Sequence, residues 1–254
     1  PVNAYKTTNL IPQTVLANSP NKCDKEKQPV RTSIFYINDF HGKSINIERT
    51  MTASNAFDNF TPSKPEDRLK FSSGDIQLGE IEQVNEVAVA GQNALHIMAS
   101  AMGNHEYDMP KSIHKIIPDM KYKLLACNID IRPEYPLSKK VEKSYIQEVN
   151  GHKYGVIGTS PTDLISRLKY SRLFEKHEIH NIDKTIDDIQ QEVDKLKSQG
   201  INKIILLSHL GYGYDRKVAQ KTDGIDVILG GHSHNLVLDV KEGENLLYDK
   251  SGNP

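Results

Sequence analysis

The sequence predicts an α/β protein in which two mixed β-sheets pack face to face between outer helices, a four-layer α-β-β-α sandwich. Apolar runs of strand length alternate along the chain with longer amphipathic patterns that are typical of helices. Residues 145–149 and 153–157 flank Asn150-Gly151, a dipeptide that suits the type I′ turn of a β-hairpin. The pattern therefore favours strands of both orientations.

Five apolar runs have the length of buried strands and are followed by glycine or polar residues. They are residues 33–37, 69–71, 99–102, 203–207 and 225–229. Helical periodicity predicts helices at residues 45–60, 80–98, 111–118 and 184–199. Gly211-Tyr212-Gly213 is predicted to lie in the loop after the fourth run, where Tyr212 and Tyr214 either line a substrate cleft or only pack. A last strand is expected at residues 246–248.

The composition fits one enzyme-sized domain with a large core. The 254 residues include 32 basic and 33 acidic side chains, a formal net charge of -1, so no basic field favours a nucleic-acid duplex or a membrane surface. No apolar stretch reaches the roughly 18 residues that suggest a membrane span. Cys127 ends an apolar run and is expected in the core, whereas the sequence leaves open whether Cys23 pairs with it.

Side chains that can bind metal ions follow each of the five runs. They are, in order, Asp39 and His41, then Asp75, then Asn104 and His105, then His209, and finally His232 and His234. Because strands of an open α/β sheet bring ligands to the crevice beyond their carboxyl ends, we expect these side chains to converge. Gly74 and Gly103 directly precede candidate ligands, where a missing Cβ allows a sharp turn and close backbone approach.

The donor atoms indicate the kind of metal. Oxygen and imidazole donors without cysteine suit manganese, iron, zinc, cobalt or nickel better than a thiolate-rich structural zinc site. The number of candidates exceeds the four ligands of one tetrahedral ion, so the economical interpretation is two divalent ions bridged by one carboxylate. Any one block alone would be an ordinary turn or a surface histidine. The remaining histidines are expected to be surface or structural residues: His96, His114, His152, His177 and His180.

Competing catalytic motifs are absent from the sequence. There is no Walker-type phosphate loop, no His-Glu-x-x-His and no Gly-x-Ser-x-Gly elbow. No cofactor other than metal ions is therefore predicted.

The ordered blocks resemble the calcineurin-like metallophosphoesterases, and more narrowly the N-terminal catalytic domain of the 5′-nucleotidase and 2′,3′-cyclic phosphodiesterase family. The blocks are Asn38-Asp39-Phe40-His41-Gly42, Gly74-Asp75, Gly103-Asn104-His105-Glu106-Tyr107-Asp108, Ser208-His209-Leu210-Gly211 and Gly231-His232-Ser233-His234. They occur in family order from about residue 33 to about residue 236, and together they are far more specific than any one alone. The resemblance implies the metallo-dependent phosphatase fold.

Carried over residue by residue, the resemblance implies two metal sites and a catalytic dyad. Asp39, His41 and His234 would bind one ion, Asn104, His209 and His232 the other, and Asp75 would bridge them. His105 would stabilise the transition state or protonate the leaving oxygen, and Asp108 would orient its imidazole and raise its proton affinity. The implied reaction is in-line attack of a metal-bridging hydroxide on a small phosphoric ester, above all a nucleotide.

Two other functions stay open. Related proteins on the same scaffold act on thiosulfate esters, so the chain could be a sulfur-ester hydrolase, and a comparison of phosphate with sulfur substrates would decide. A catalytically silent metal-binding surface module is the alternative from another class. The presence of both His105 and Asp108 argues against it, because a binding module gains nothing from a leaving-group dyad.

Residues 1–31 are expected to be a polar lead-in, and residues 32–254 a catalytic domain that is truncated at its C-terminal end. In the family a second domain supplies most nucleoside recognition, so that domain is expected in the full-length protein. This chain should therefore hydrolyse phosphoesters weakly and permissively. Because family members are usually exported, an extracytoplasmic location is expected, in the periplasm, in the cell wall or as a secreted protein.

Overall fold

The computed structural model describes residues 31–109, 113–167 and 177–237, together with residues 248 and 251. Within these residues the strands are β1 Ser33–Ile37, β2 Arg68–Ser72, β3 Ala99–Ala101, β4 Lys123–Leu125, β5 Ile129–Asp130, β6 Val141–Glu142, β7 Ser144–Val149, β8 His152–Thr159, β9 Glu178–Ile179, β10 Ile204–Ser208 and β11 Val227–Gly230. The α-helices are α1 Ile47–Phe60, α2 Glu82–Ala94, α3 Ile113–Ile116, α4 Leu164–Arg167, α5 Ile182–Ser198 and α6 Tyr212–Lys221.

The strands form two large sheets and one small one. The first sheet has the order β1-β2-β3-β4-β6 and the second β11-β10-β8-β7, while β5 and β9 pair separately. In the second sheet β7 and β8 are antiparallel and the other pairs are parallel, as a mixed sheet requires. The first sheet, which was also predicted to be mixed, is instead parallel between all of its described strands. The reason is that helical crossovers through α1, α2 and α3 connect β1 to β4.

Three apolar clusters define the four layers. Leu69 and Phe71 of the first sheet pack with Val156 and Leu207 of the second, which places one cluster between the sheets. A second cluster joins the first sheet to α2 and α3, and a third joins the second sheet to α5 and α6. Each buried large apolar side chain contributes roughly 1.5–3 kcal/mol. The predicted α-β-β-α sandwich is confirmed.

The predicted hairpin forms between β7 and β8, with Val149 paired to His152. Asn150 and Gly151 have φ values of 48° and 74°, the left-handed pair that a type I′ turn needs. Helix α5 begins at Ile182, slightly before its predicted start, because the Asn181 side chain caps it by accepting a hydrogen bond from the Lys184 amide.

Two predicted helices are shorter in the structure. Helix α2 ends at Ala94 and not near residue 98, because His96 takes a left-handed φ of 58° that ends helical geometry. The helix predicted at residues 111–118 is described only as α3 and a following 3-10 turn, Ile117–Asp119. Residues 111 and 112 lie outside the described residues.

The loop predicted at Gly211-Tyr212-Gly213 is wrong, since Tyr212 begins α6. Gly211 supplies the turn with a φ of 91°, and the Tyr212 amide donates to Ser233 Oγ at 2.9 Å. The buried Val218 then anchors the helix to the second sheet. Tyr212 and Tyr214 are therefore helical residues.

Other predictions fall outside the described residues. They concern the lead-in before residue 31, Cys23 and its pairing, and most of the strand at residues 246–248. Cys127 is fully buried, as expected. Among the described residues, no helix has both the length and the apolar character needed to cross a membrane.

Candidate metal centre

The predicted metal ligands converge where β1, β2, β3, β10 and β11 end. Two groups of three side chains each bring their ligand atoms within 4.8 Å of one another. The outer triad is Asp39, His41 and His234, and the inner triad is Asp75, His209 and His232. The family resemblance implied the same residues for two separate ions, with Asn104 added to the second and Asp75 shared.

Distances between the side chains show how the triads connect. In the outer triad, His234 Nε2 lies 3.2 Å from Asp39 Oδ1. In the inner triad, His209 Nε2 lies 3.0 Å from Asp75 Oδ2. His41 Nε2 lies 3.6 Å from Asp39 Oδ1 and 3.4 Å from Asp75 Oδ2. Asp75 is therefore near histidines of both triads, the position a bridging carboxylate needs.

The backbone of these ligands is unusual. Asp39, His41, Asp75, His232 and His234 all have positive φ, between 50° and 73°. Among the described non-glycine residues only His96 and Asn150 share this conformation. Left-handed backbone costs free energy in such residues and concentrates at functional sites, where the surrounding structure enforces it.

The loops after β1 and β2 hold this backbone in place by hydrogen bonding to each other. The Asp39 amide donates to the Gly74 carbonyl at 3.1 Å, and the His41 amide donates to the Asp75 carbonyl at 2.8 Å. Gly103 must lack a side chain, because a Cβ there would lie 2.0 Å from Asp75 Oδ1. The close approach expected of this glycine is present.

Glu106 is a residue that the sequence interpretation missed. It is almost fully buried, and its two carboxylate oxygens accept hydrogen bonds from the amides of Gly103, Asp75, Ile76 and Gln77 at 2.7–3.3 Å. One carboxylate thus joins the loops that present Asp75 and Asn104. The only sequence signal was its place beside His105, within an otherwise assigned motif.

Three buried atoms of the predicted ligands lack a hydrogen-bonding partner, and this indicates that the ligands fit metal ions. In the described part of the chain, His41 Nε2, Asn104 Oδ1 and His209 Nε2 are buried without a hydrogen-bonding partner. A buried polar atom without a partner costs free energy unless something coordinates it. These three atoms belong to both predicted sites, and the two imidazole nitrogens face carboxylates, which suits bound cations.

His209 shows how the fold orients one of these atoms. Its Nδ1 lies 2.5 Å from the Ser73 carbonyl and donates to it, so Nε2 is the nitrogen that faces Asp75 and is left to coordinate an ion. A histidine that donates its other ring N–H to a carbonyl is typical of metal ligands. Ser73 directly follows β2, and no feature of the sequence pointed to it.

The electrostatics favour charged carboxylates. Burial acts to raise the pKa of Asp75, but the His209 and His41 imidazoles outweigh it and hold that pKa well below its usual range. Asp39, followed by Asp75, raises the pKa of His41 to about 9. Without a cation, protons on the imidazoles supply the charge that balances these carboxylates.

The predicted dyad is present at the edge of the centre. His105 Nδ1 lies 2.7 Å from Asp108 Oδ2, which also accepts the Gly79 amide at 2.6 Å. This hydrogen bond to Asp108 raises the pKa of His105. His105 Nε2 lies 4.0 Å from Asp75 Oδ2 and forms a third group of possible ligands with His41 and Asp75. Geometry alone therefore allows His105 either role.

The histidines without a predicted role lie away from both triads. His96 and His114 are exposed, His152 is half-buried, and His177 and His180 are buried. They match the expectation of surface or structural residues, although His180 also has three carboxylates beside its ring.

Comparison with known proteins agrees with the geometry. A family model described as calcineurin-like phosphoesterase matches residues 32–236. The human 5′-nucleotidase is 33% identical over 153 residues, which is 57% of this chain and 25% of that protein. The snake venom 5′-nucleotidase of Naja atra is 31% identical over the same length, covering 57% of this chain and 27% of that protein.

A solved structure shows the same fold. The 5′-nucleotidase precursor from Thermus thermophilus superimposes with a TM-score of 0.69 and 23% identity, over 86% of this chain and 46% of that chain. At this identity the likeness concerns the fold alone. The chain spans about a quarter of the length of the curated relatives it matches.

Proposed function

The chain belongs to the calcineurin-like phosphoesterase family, and on this premise we propose that it is a dimetal-dependent phosphoric ester hydrolase of the 5′-nucleotidase type. Three buried polar atoms without partners, His41 Nε2, Asn104 Oδ1 and His209 Nε2, support the proposal best. They follow β1, β3 and β10, and the two imidazole nitrogens face carboxylates, where divalent cations would stabilise them.

The outer triad would hold one ion, and the inner triad with Asn104 the other, with Asp75 shared. When bound, such ions polarise phosphoryl oxygens and lower the pKa of water. The mixed imidazole and oxygen donors suit manganese, zinc, iron, cobalt or nickel. Five of the ligands have a left-handed backbone, and backbone hydrogen bonds between the loops after β1 and β2 hold Asp39 and His41 in it without any ion.

In this proposal His105 assists departure of the leaving alcohol. Its hydrogen bond to Asp108 raises its pKa, which favours the protonated ring whose Nε2 can donate to the leaving oxygen. Asp108 is a positioning residue, because it holds Nδ1 and is itself fixed by the Gly79 amide. The exposure of the His105 side chain, 25%, leaves room for a substrate beside it.

The substrate class follows from the relatives. Because several relatives are named 5′-nucleotidases, we propose a nucleotide as the natural substrate and a second domain of the full-length protein as its recognition element. A chain with the metal centre alone should accept many phosphoesters. We also propose a location outside the cytoplasm, supported by the venom relative, and cell fractionation with an antibody to the chain would test it.

The test is hydrolysis of p-nitrophenyl phosphate and its bis-ester by the manganese-loaded chain and its His105→Ala variant. Loss of general acid assistance should reduce kcat by about 10²- to 10⁴-fold with metal content unchanged. Asp108→Asn should move the alkaline limb of the kcat profile to lower pH, because a neutral partner no longer raises the His105 pKa.

His114→Ala is the matched control, since His114 is exposed on α3 and should leave both rate and metal content as they are. Metal loss in His105→Ala would instead assign His105 as a ligand. Faster hydrolysis of a thiosulfate ester than of any phosphate would favour the sulfur-ester alternative. If the full-length protein bound two metals but hydrolysed neither phosphate nor thiosulfate esters, the enzyme proposal would be wrong.

A further inference from the structure

A second group of metal-binding side chains lies on the small sheet of β5 and β9, and none of its members belongs to either triad. The group consists of Asp130, Glu178 and His180, whose ligand atoms lie within 4.8 Å of one another. Asp130 and Glu178 are directly paired across the two antiparallel strands. Their side chains therefore leave the sheet on the same face.

His180 follows β9 and points its ring between the two carboxylates. Its side chain is 5% exposed, yet Nε2 lies 3.6 Å from Asp130 Oδ2 and 3.8 Å from Glu178 Oε1. Both distances are too long for a hydrogen bond. Ligands at about 2.0–2.2 Å from a tetrahedral ion lie about 3.3–3.6 Å from one another, so these spacings approach those of atoms that share one cation.

The other ring nitrogen of His180 is already fixed. Nδ1 is hydrogen-bonded to Asp188 Oδ2 of α5, and Asp188 Oδ1 also accepts from Lys184 Nζ at 2.8 Å. Asp188 is buried. A carboxylate that binds one nitrogen of a histidine leaves the other as a lone-pair donor, which is the usual support of a metal-binding imidazole.

We propose that Asp130, Glu178 and His180 form a separate site for a divalent cation of the zinc class, oriented by Asp188. One imidazole and two carboxylates suit zinc, cobalt or nickel, and water can complete a tetrahedron because both carboxylates are exposed. The ion would link β5 to β9, and His180, which is hydrogen-bonded to Asp188, would link it to α5.

Local charge supports a cation at this position. Among the described residues, Lys143 Nζ lies 3.7 Å from Asp130 Oδ1, and Asp130 Oδ2 faces His180. Lys184 Nζ binds Asp188 Oδ1 at 2.8 Å, and the charges of Asp130 and Glu178 also act on this lysine. The three carboxylates Asp130, Glu178 and Asp188 therefore share two lysines, which leaves a negative charge that a bound cation would balance.

The test is zinc stoichiometry of the chain after equilibration with chelator-buffered zinc and gel filtration. Glu178→Gln should bind one equivalent fewer than the parent, and so should Asp130→Asn. Both changes are at exposed positions and leave the fold and the triads intact, so phosphoesterase activity should not change. Zinc should also raise the Tm of the parent more than that of Glu178→Gln, because binding to the folded state stabilises it.

Asp187→Asn is the control, because Asp187 is an exposed carboxylate on the same helix as Asp188 but outside the group. It should keep the parent stoichiometry. His180→Gln should lose the same single equivalent as Glu178→Gln. Equal zinc content and equal zinc-dependent Tm in the parent and Glu178→Gln would overturn the proposal, whatever the strand-end centre binds.

Discussion

The inner and outer triads use the same donor types in different surroundings. Asp75 and His209 of the inner triad are 2% and 0% exposed, whereas the His234 side chain of the outer triad is 57% exposed. Water can replace a lost ligand at an exposed site and cannot easily do so at a buried one. For the two proposed ions, we therefore expect the inner one to be held tightly and the outer one to exchange.

The two triads also differ in their supports. The inner triad is fixed by the Ser73 carbonyl on His209 and by Glu106, which accepts the Asp75 amide. A further support comes from the outer triad, because the Asp39 carboxylate accepts the amide of the inner ligand His232 at 3.0–3.1 Å. The inner triad is thus held both by residues outside the two triads and by a ligand of the outer one.

The largest predicted effect is the difference in stability, turnover and metal binding between the His209→Asn and His234→Asn variants. His209→Asn removes a buried partner of Asp75 and should cost about 3–5 kcal/mol of unfolding free energy and more than about 10³-fold in turnover, above the loss of a single oxyanion donor. His234→Asn should weaken one ion by about 10- to 100-fold, with activity restored by excess manganese. Metal content, urea unfolding and p-nitrophenyl phosphate hydrolysis measure these changes.

Asparagine tolerates the left-handed backbone of His234, and His96→Asn is the matched control. His96 is an exposed histidine with a similar φ of 58°, so its replacement should change neither stability nor activity. Equal losses in His209→Asn and His234→Asn would remove the distinction between the triads.

A smaller effect is expected from Glu106→Gln, which tests the support of the inner triad. The amide group of glutamine would face backbone N–H donors where a carboxylate oxygen now accepts them, at a cost of about 1–3 kcal/mol. Because these N–H groups belong to the loops of Asp75 and Asn104, we expect about 10- to 100-fold weaker metal binding. Isothermal titration with manganese measures this.

Glu86→Gln is the control variant, since Glu86 is exposed on α2. The same substitution there should change neither stability nor manganese binding. If Glu106→Gln bound manganese as tightly as the parent, Glu106 would not position the ligands.

The sequence predicted the parts of this site that depend on strand ends. Asp39, Asp75, His209 and His232 each follow an apolar run, and parallel strands deliver such residues to one edge. The two-sheet fold was predictable for the same reason, since apolar periodicity records which faces are buried.

Other parts depend on long-range packing that periodicity does not record. Glu106 looked like part of a motif, yet its role comes from amides 29–31 positions away in the chain. Helix α6 was missed because glycines at 211 and 213 predict a loop, whereas a contact to Ser233 and the burial of Val218 favour the helix. Tertiary contacts override local propensity in both cases.

The smallest expected effect concerns Asp215, which supports the inner triad from α6. Its Oδ1 accepts from Ser208 Oγ at 2.5 Å, directly before His209, and burial raises its pKa to about 7. Between pH of about 4 and 7 the folded state keeps a proton that the unfolded state releases, so this group makes stability fall as pH rises. Asp215→Asn cannot release that proton, so its urea midpoint should decline less across this range than that of the parent. Parallel midpoint curves would show that Asp215 is ionised in the fold, and the buried support of the inner triad would then be a charged one.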